Sequence, residues 1–135
     1  MAAVLIDSNV LLDLMIEDSV WFSWSAEALA KAVESYRVVI NPIIYAEVSI
    51  RYSRIEDLDE ALPRTIIHRE AIPFEAAFLA GKAFRAYQRR EGMKRSPLPD
   101  FFIGAHAAIA GYSLLTRDAA RYRTYFPKLP LIAPN

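Results

Sequence analysis

Cysteine is missing from the chain, and histidine occurs only at His68 and His106. These absences exclude a disulfide framework, a thiol nucleophile, an iron–sulfur cluster and nearly every structural zinc site. Any metal must therefore be held mainly by oxygen. Long hydrophobic runs are missing too. The longest weakly polar stretch, residues 101–115, is interrupted by His106 and Ser113, and it is shorter than the roughly 20 residues that a bilayer span requires. The opening MAAVLIDSNV has no basic leader and meets a carboxylate at Asp7, so the expectation is a soluble, cytoplasmic protein with no membrane association. Internal repeats, low-complexity tracts and Gly/Ser linkers are absent, and the prolines fall singly where elements should begin or end.

Neither charge sign is in excess, with 16 Lys plus Arg against 16 Asp plus Glu. This argues against a strongly basic nucleic-acid coat or a polybasic membrane anchor. The zero total conceals a dipolar chain. Residues 1–60 carry 11 acidic and 4 basic side chains, and residues 61–135 carry 5 and 12, giving −7 and +7. The densest basic run is Lys82, Arg85, Arg89, Arg90, Lys94 and Arg95, opposed only by Glu91. It reads either as a solvated helix face or as a rim that tracks phosphates.

What is present suits one compact domain over residues 1–135, since 54% of the residues are apolar. Ala3–Ile6 and Arg37–Ile40 are short, largely β-branched apolar runs that read as strands buried on both faces. Residues 112–116 form a third, and residues 129–132 a weaker terminal strand that Pro130 demotes to an edge. Helical patterns occupy residues 9–16, 25–35, 43–52, 55–62, 74–90, 98–110 and 119–125. In 74–90, the positions of Ala77, Phe78, Gly81 and Phe84 separate an apolar face from a basic one. Strands alternating with helices predict an α/β three-layer sandwich, a short parallel sheet flanked by helices. Sites in such sheets form beyond the carboxyl ends of the strands.

Four acids fall at the ends of these elements. Asp7 follows the first strand, Asp118 follows the third by two residues, Glu47 lies in the helix after the second strand, and Asp100 opens the helix after Pro97 and Pro99. Each has an ordinary explanation. Asp7 and Asp118 suit helix N-caps, Asp100 complements a helix dipole, and Glu47 has Arg51 four residues on. Yet Glu47 is surrounded in sequence by Ile43, Ile44, Tyr45, Ala46, Val48 and Ile50, and Asp100 is followed by Phe101, Phe102 and Ile103. An acid at the rim of a buried element needs a partner. If the topology gathers all four, each pair of carboxylates ~5 Å apart repels by roughly 3 kcal/mol at an effective dielectric of about 20. Such a group must bind a cation or take up protons. All-oxygen ligation points to Mg²⁺ or Mn²⁺, and the chemistry such a site serves best is phosphodiester hydrolysis.

Taken together, VLIDSNVLLDL, IIYAEV after a strand, PDFFIGAHAAIAGYSLLTRDAARYRTYF and the closing LPLIAP resemble a PIN-domain ribonuclease, specifically the VapC-type toxins of toxin–antitoxin pairs. The resemblance spans essentially the whole chain. It implies a metal-dependent endoribonuclease acting on RNA, with Asp7, Glu47, Asp100 and Asp118 as the acidic pocket. Asp7 and Asp100 would be the leading direct ligands of Mg²⁺ or Mn²⁺, with Asp118 completing the metal set and Glu47 acting through water. It also implies that Asn9 and Thr116 brace the carboxylates, and that the protein works as a homodimer silenced by a cognate antitoxin whose carboxyl-terminal segment lies near the site. Arg85, Arg89 and Arg90 are the candidate RNA-backbone contacts.

The competing class is a noncatalytic PIN fold that binds RNA or protein. An aspartyl-nucleophile phosphatase would want an acid where Asn9 stands, and a receiver domain would want adjacent acids where Asp7-Ser8 stands. Asp13, Glu17 and Asp18 read as solvated surface acids. The segment Val20-Trp21-Phe22-Ser23-Trp24 reads equally as satellite core or as the lining of a partner groove, and His106 reads as a packed histidine.

Overall fold

The computed structural model describes residues 2–92 and 98–135. Among them the chain forms strands β1 (Ala3–Ile6), β2 (Arg37–Ile40), β3 (Ile67–Arg69), β4 (Ser113–Leu115) and β5 (Leu131–Ile132). The helices are α1 (Ser8–Met15), α2 (Phe22–Ser35), α3 (Pro42–Ser49), α4 (Ile55–Ala61), α5 (Phe74–Glu91), α6 (Leu98–Ala110) and α7 (Ala120–Tyr125). Every strand pairing is parallel, and the order across the sheet is β3-β2-β1-β4-β5. The expected α/β sandwich is the observed fold.

Local chemistry accounts for the elements. All four residues of β1 are buried, as a central parallel strand covered on both faces requires. Asn41 ends β2 and starts α3: its side-chain oxygen accepts the Ile44 N–H at 3.0 Å, and Pro42 occupies the first helical turn, where its missing N–H costs nothing. The closing strand is an edge, as its proline dictates, with the Pro130 carbonyl accepting the Leu114 N–H at 2.9 Å.

Two readings change. The fifth strand, β3, has no clear sequence signal, because only Ile67 of its three residues is buried. It hydrogen-bonds β2 along the far edge of the sheet. On α5 the inward face is Ala76, Ala80 and Tyr87, while Phe78 stays outside with the Lys82 ammonium 4.9 Å from its ring centroid. Small alanines let α5 lie close on α6, and Phe84 and Tyr87 of α5, Phe101 of α6 and Tyr125 of α7 pack as an aromatic cluster.

In the tryptophan segment the satellite-core reading holds for one residue. Trp24 packs partly against the core, whereas Val20 and Phe22 are exposed. His106 is fully buried, with Nδ1 3.1 Å from the Asn41 side-chain nitrogen. Because the Asn41 oxygen is committed to the Ile44 N–H, its amide must donate, which places the histidine proton on Nε2.

Candidate active site

The chain runs outward from β1 to β2 and β3, then returns to the other side of β1 as β4 and β5. The carboxyl ends of β1 and β4 therefore flank the point where strand order reverses, where such sheets open a crevice. Asp7 stands there, its N–H bonded to the Leu115 carbonyl at 2.9 Å. It holds the N-cap position of α1, yet its carboxylate makes no capping bond. Instead Oδ2 accepts from Thr116 Oγ1 at 2.9 Å, Tyr122 Oη at 3.0 Å and Asn9 Nδ2 at 3.3 Å. The ordinary N-cap explanation for Asp7 fails on this geometry.

Thr116 and Asn9 also bond each other at 3.2 Å, and the Arg117 N–H donates to Asn9 Oδ1 at 3.3 Å. Glu47, half-buried on α3, accepts from Ser8 Oγ at 2.8 Å. No Glu47–Arg51 pair forms among the described residues. Asp100, in the first turn of α6, is paired with Arg121 of α7. Asp118 is exposed at the rim; its N–H donates to Thr116 Oγ1 at 3.1 Å, and Ala119 rather than Asp118 caps α7.

The acids feel one another. Burial, above all, raises the Asp7 pKa from 3.8 to about 6; the Thr116 and Tyr122 hydrogen bonds oppose the rise, and the Asp100 and Glu47 charges add to it. Burial raises Glu47 as well, opposed by Ser8 and assisted by Asp100. Asp100 is pushed up by burial and by Asp118, against the pull of Arg121. Burial and the same carboxylates drive the Tyr122 phenol far up, which keeps it a hydrogen-bond donor. Asp7, Glu47 and Asp100 thus share one electrostatic environment, with Asp118 acting on it from the rim.

An all-oxygen set of mutually repelling carboxylates suits a hard divalent ion. Thr116, Tyr122 and Asn9 all engage Asp7 Oδ2, leaving Oδ1 with only a 3.5 Å contact to Ser8. Among the described residues no three acids already stand in a closed cation cage, and Asp100 is turned to Arg121. A cleft of about 410 Å³, lined by Asn41, Tyr45, Arg64 and Arg69 among others, opens beside β2 and β3 and includes none of the four acids. Cleft size does not mark the acidic group.

Sequence reading missed Ser8, Tyr122 and Arg121. Tyr122 had a signal: it and Phe126, four residues on and just past the end of α7, are an apolar pair at helical spacing, and both are buried. Asp13 departs from the solvated surface acid expected of it. It is not solvated but 1% exposed, accepting from Arg117 Nε at 2.8 and 3.1 Å and from Ser25 Oγ at 2.7 Å. Its neighbours differ: Glu17 is exposed, and Asp18 binds the N–H groups of Val20 and Trp21 at 2.8 Å each, which lowers its pKa. Arg85, Arg89 and Arg90 all lie exposed along α5; Lys94 and Arg95 fall outside the described residues.

Tyr122 is seated by Gly104. A Cβ there would lie 2.6 Å from Phe126 Cε2 and 3.1 Å from Tyr122 Cδ1. Gly104→Ala should therefore cost about 1–3 kcal/mol through overpacking, read as a lower urea midpoint with unchanged slope. An unshifted midpoint would mean that both rings yield freely.

The PIN domain family model matches residues 4–127. Among solved structures, VapBC2 from Rickettsia felis bound to a promoter DNA fragment matches at a TM-score of 0.72 and 15% identity, covering 98% of this chain and 99% of that one. VapBC-1 from nontypeable Haemophilus influenzae matches at 0.70 and 18%, covering 97% of each chain. A toxin–antitoxin complex from Klebsiella pneumoniae matches at 0.60 and 25%, covering 98% of each. No curated protein sequence matches.

Proposed function

The chain belongs to the PIN domain family, and from that premise we propose that it is a Mg²⁺- or Mn²⁺-dependent endoribonuclease, the toxin of a type II toxin–antitoxin pair. One observation carries the reading: the Asp7 carboxylate, freed from capping, is buried at the switch point beside Glu47 and Asp100, with its pKa raised to about 6. Asp7, Asp100 and Asp118 would hold the ion, and Asn9 and Thr116 would fix Asp7. A bound ion would supply an activated water and neutralise charge growing on the phosphoryl group. Glu47, held by the Ser8 hydroxyl and pushed up by burial and by Asp100, would be the residue to accept a proton at this site.

The solved toxin–antitoxin complexes of similar fold support a cognate antitoxin as partner. The same reading makes the working unit a cytoplasmic homodimer; among the described residues no helix is long and apolar enough to cross a membrane. The exposed Arg85, Arg89 and Arg90 are assigned to the RNA backbone.

The purified protein should cleave RNA with Mg²⁺ or Mn²⁺, stop on chelation, and be silenced by a short antitoxin encoded in the adjacent reading frame. Neutralising Arg85, Arg89 and Arg90 together should reduce the salt slope of RNA binding by about one for each phosphate no longer neutralised. Equal cleavage by wild type, Asp7→Asn and Asp100→Asn would assign the activity to a contaminant and leave a noncatalytic binding module.

A further inference from the structure

Among the described residues, one ion pair puts a cation on a member of the acidic group, and that is Arg121 on Asp100. Asp7 and Glu47 have no cationic partner there; their charges are met by hydroxyl and amide donors alone. Both side chains of the Arg121–Asp100 pair are 32% exposed, so the pair is modest in strength and accessible from solvent. The guanidinium also lies 5.8 Å from the centroid of the Tyr87 ring. Tyr87 belongs to α5, the helix that carries Arg85, Arg89 and Arg90.

Arg121 Nη1 is paired with Asp100 Oδ2, and a divalent ion taken up by the same carboxylate competes with the guanidinium for its charge. A divalent ion brings twice the charge, and three carboxylates in mutual repulsion favour it. Arg121 would then be left at the mouth of the crevice, beside the ring of Tyr87 on the inward face of α5. Its five N–H donors match the oxygens of a phosphodiester.

We infer that Arg121 is a metal-gated phosphate contact: it neutralises Asp100 in the resting protein and turns to the RNA backbone once a divalent ion takes Asp100. The inference rests on the nuclease reading but adds an order of events and a residue that the four acids do not supply. A purely structural role, stapling α6 to α7, predicts something else, because Arg121 would then contribute equally with and without metal.

The test compares wild type, Arg121→Gln and Arg121→Lys, each with and without Mn²⁺. Mn²⁺ binding is read by calorimetry. Oligonucleotide binding is read by anisotropy of a labelled single-stranded RNA whose phosphorothioate linkages slow hydrolysis. Arg121→Gln should bind Mn²⁺ about threefold or more tightly than wild type, the order set by removing a partly exposed competing ion pair. It should bind the oligonucleotide more weakly than wild type in Mn²⁺ and equally without it. Arg121→Lys, which keeps the charge, should recover most of the oligonucleotide affinity. Equal Mn²⁺ affinities in wild type and Arg121→Gln, or the same oligonucleotide loss in both conditions, would overturn the inference while leaving the nuclease reading intact. A wild-type protein that binds no Mn²⁺ would overturn both.

Discussion

Asp7→Asn should abolish RNA cleavage and at the same time make the protein more stable. The loss of activity is expected to be at least on the order of 100-fold, since losing even an outer-shell partner of a metal site costs about 10–100-fold. The gain in stability arises from the raised pKa. Asp7 titrates at about 6 in the folded chain against an ordinary 3.8, so folding favours the protonated carboxyl. That stabilisation is complete below about pH 3.8 and is lost as pH rises through about 6, leaving a buried carboxylate above it. About two pKa units correspond to about 3 kcal/mol.

An asparagine escapes this titration and keeps the geometry. Its oxygen can replace Oδ2 as acceptor for Thr116, Tyr122 and Asn9, while its amide faces Ser8, whose hydroxyl can accept. In chelator at pH 8 the variant should exceed wild type by up to about 3 kcal/mol in urea unfolding, roughly 10 °C in Tm. The gap should close toward pH 4, and Mg²⁺ should narrow it by stabilising wild type. A variant less stable than wild type at pH 8 would show that the carboxylate is well compensated without any ion.

Arg117→Ala should destabilise the fold by about 3 kcal/mol, the lower end of the cost of removing one partner from a buried ion pair. Asp13 is 1% exposed and its partner 30%, so removing Arg117 leaves the carboxylate in the interior with only the Ser25 hydroxyl. The arginine also lies over Trp21, 5.6 Å from the ring centroid, which ties the start of α2 to the segment after β4. A lysine lacks the donor fork and should recover only part of the loss. Arg117 stands between Thr116 and Asp118, and the variant keeps the backbone N–H that holds Asn9 but loses the side-chain anchor on Asp13, so the same variant should loosen this segment and weaken Mn²⁺ binding. An unchanged urea midpoint would place Asp13 in water after all.

The strands at the centre of the sheet are legible in the sequence because burial on both faces leaves a continuous apolar signature, as in AVLI and VVI. Chain position alone then puts Asp7 and Thr116 on the carboxyl edge. Strand β3 is not legible: an edge strand with one buried residue of three looks like a loop. The polar pairs are hidden for a different reason. Arg117 and Asp13 lie 104 residues apart, and Tyr122 and Asp7 lie 115 apart. No periodicity within either segment records a partner on the other, and three acids in six residues look like solvated surface. The four acids themselves stand out through chemistry rather than pattern, since Glu47 and Asp100 sit in runs too apolar to leave a charge unexplained.

The central claim is that Asp7 and Asp100 hold a divalent ion together, and calorimetric titration of Mn²⁺ into the metal-free protein at pH 7 tests it directly. Wild type should bind, and Asp7→Asn and Asp100→Asn should each lose binding while remaining folded. Undiminished Mn²⁺ affinity in both variants would contradict the account.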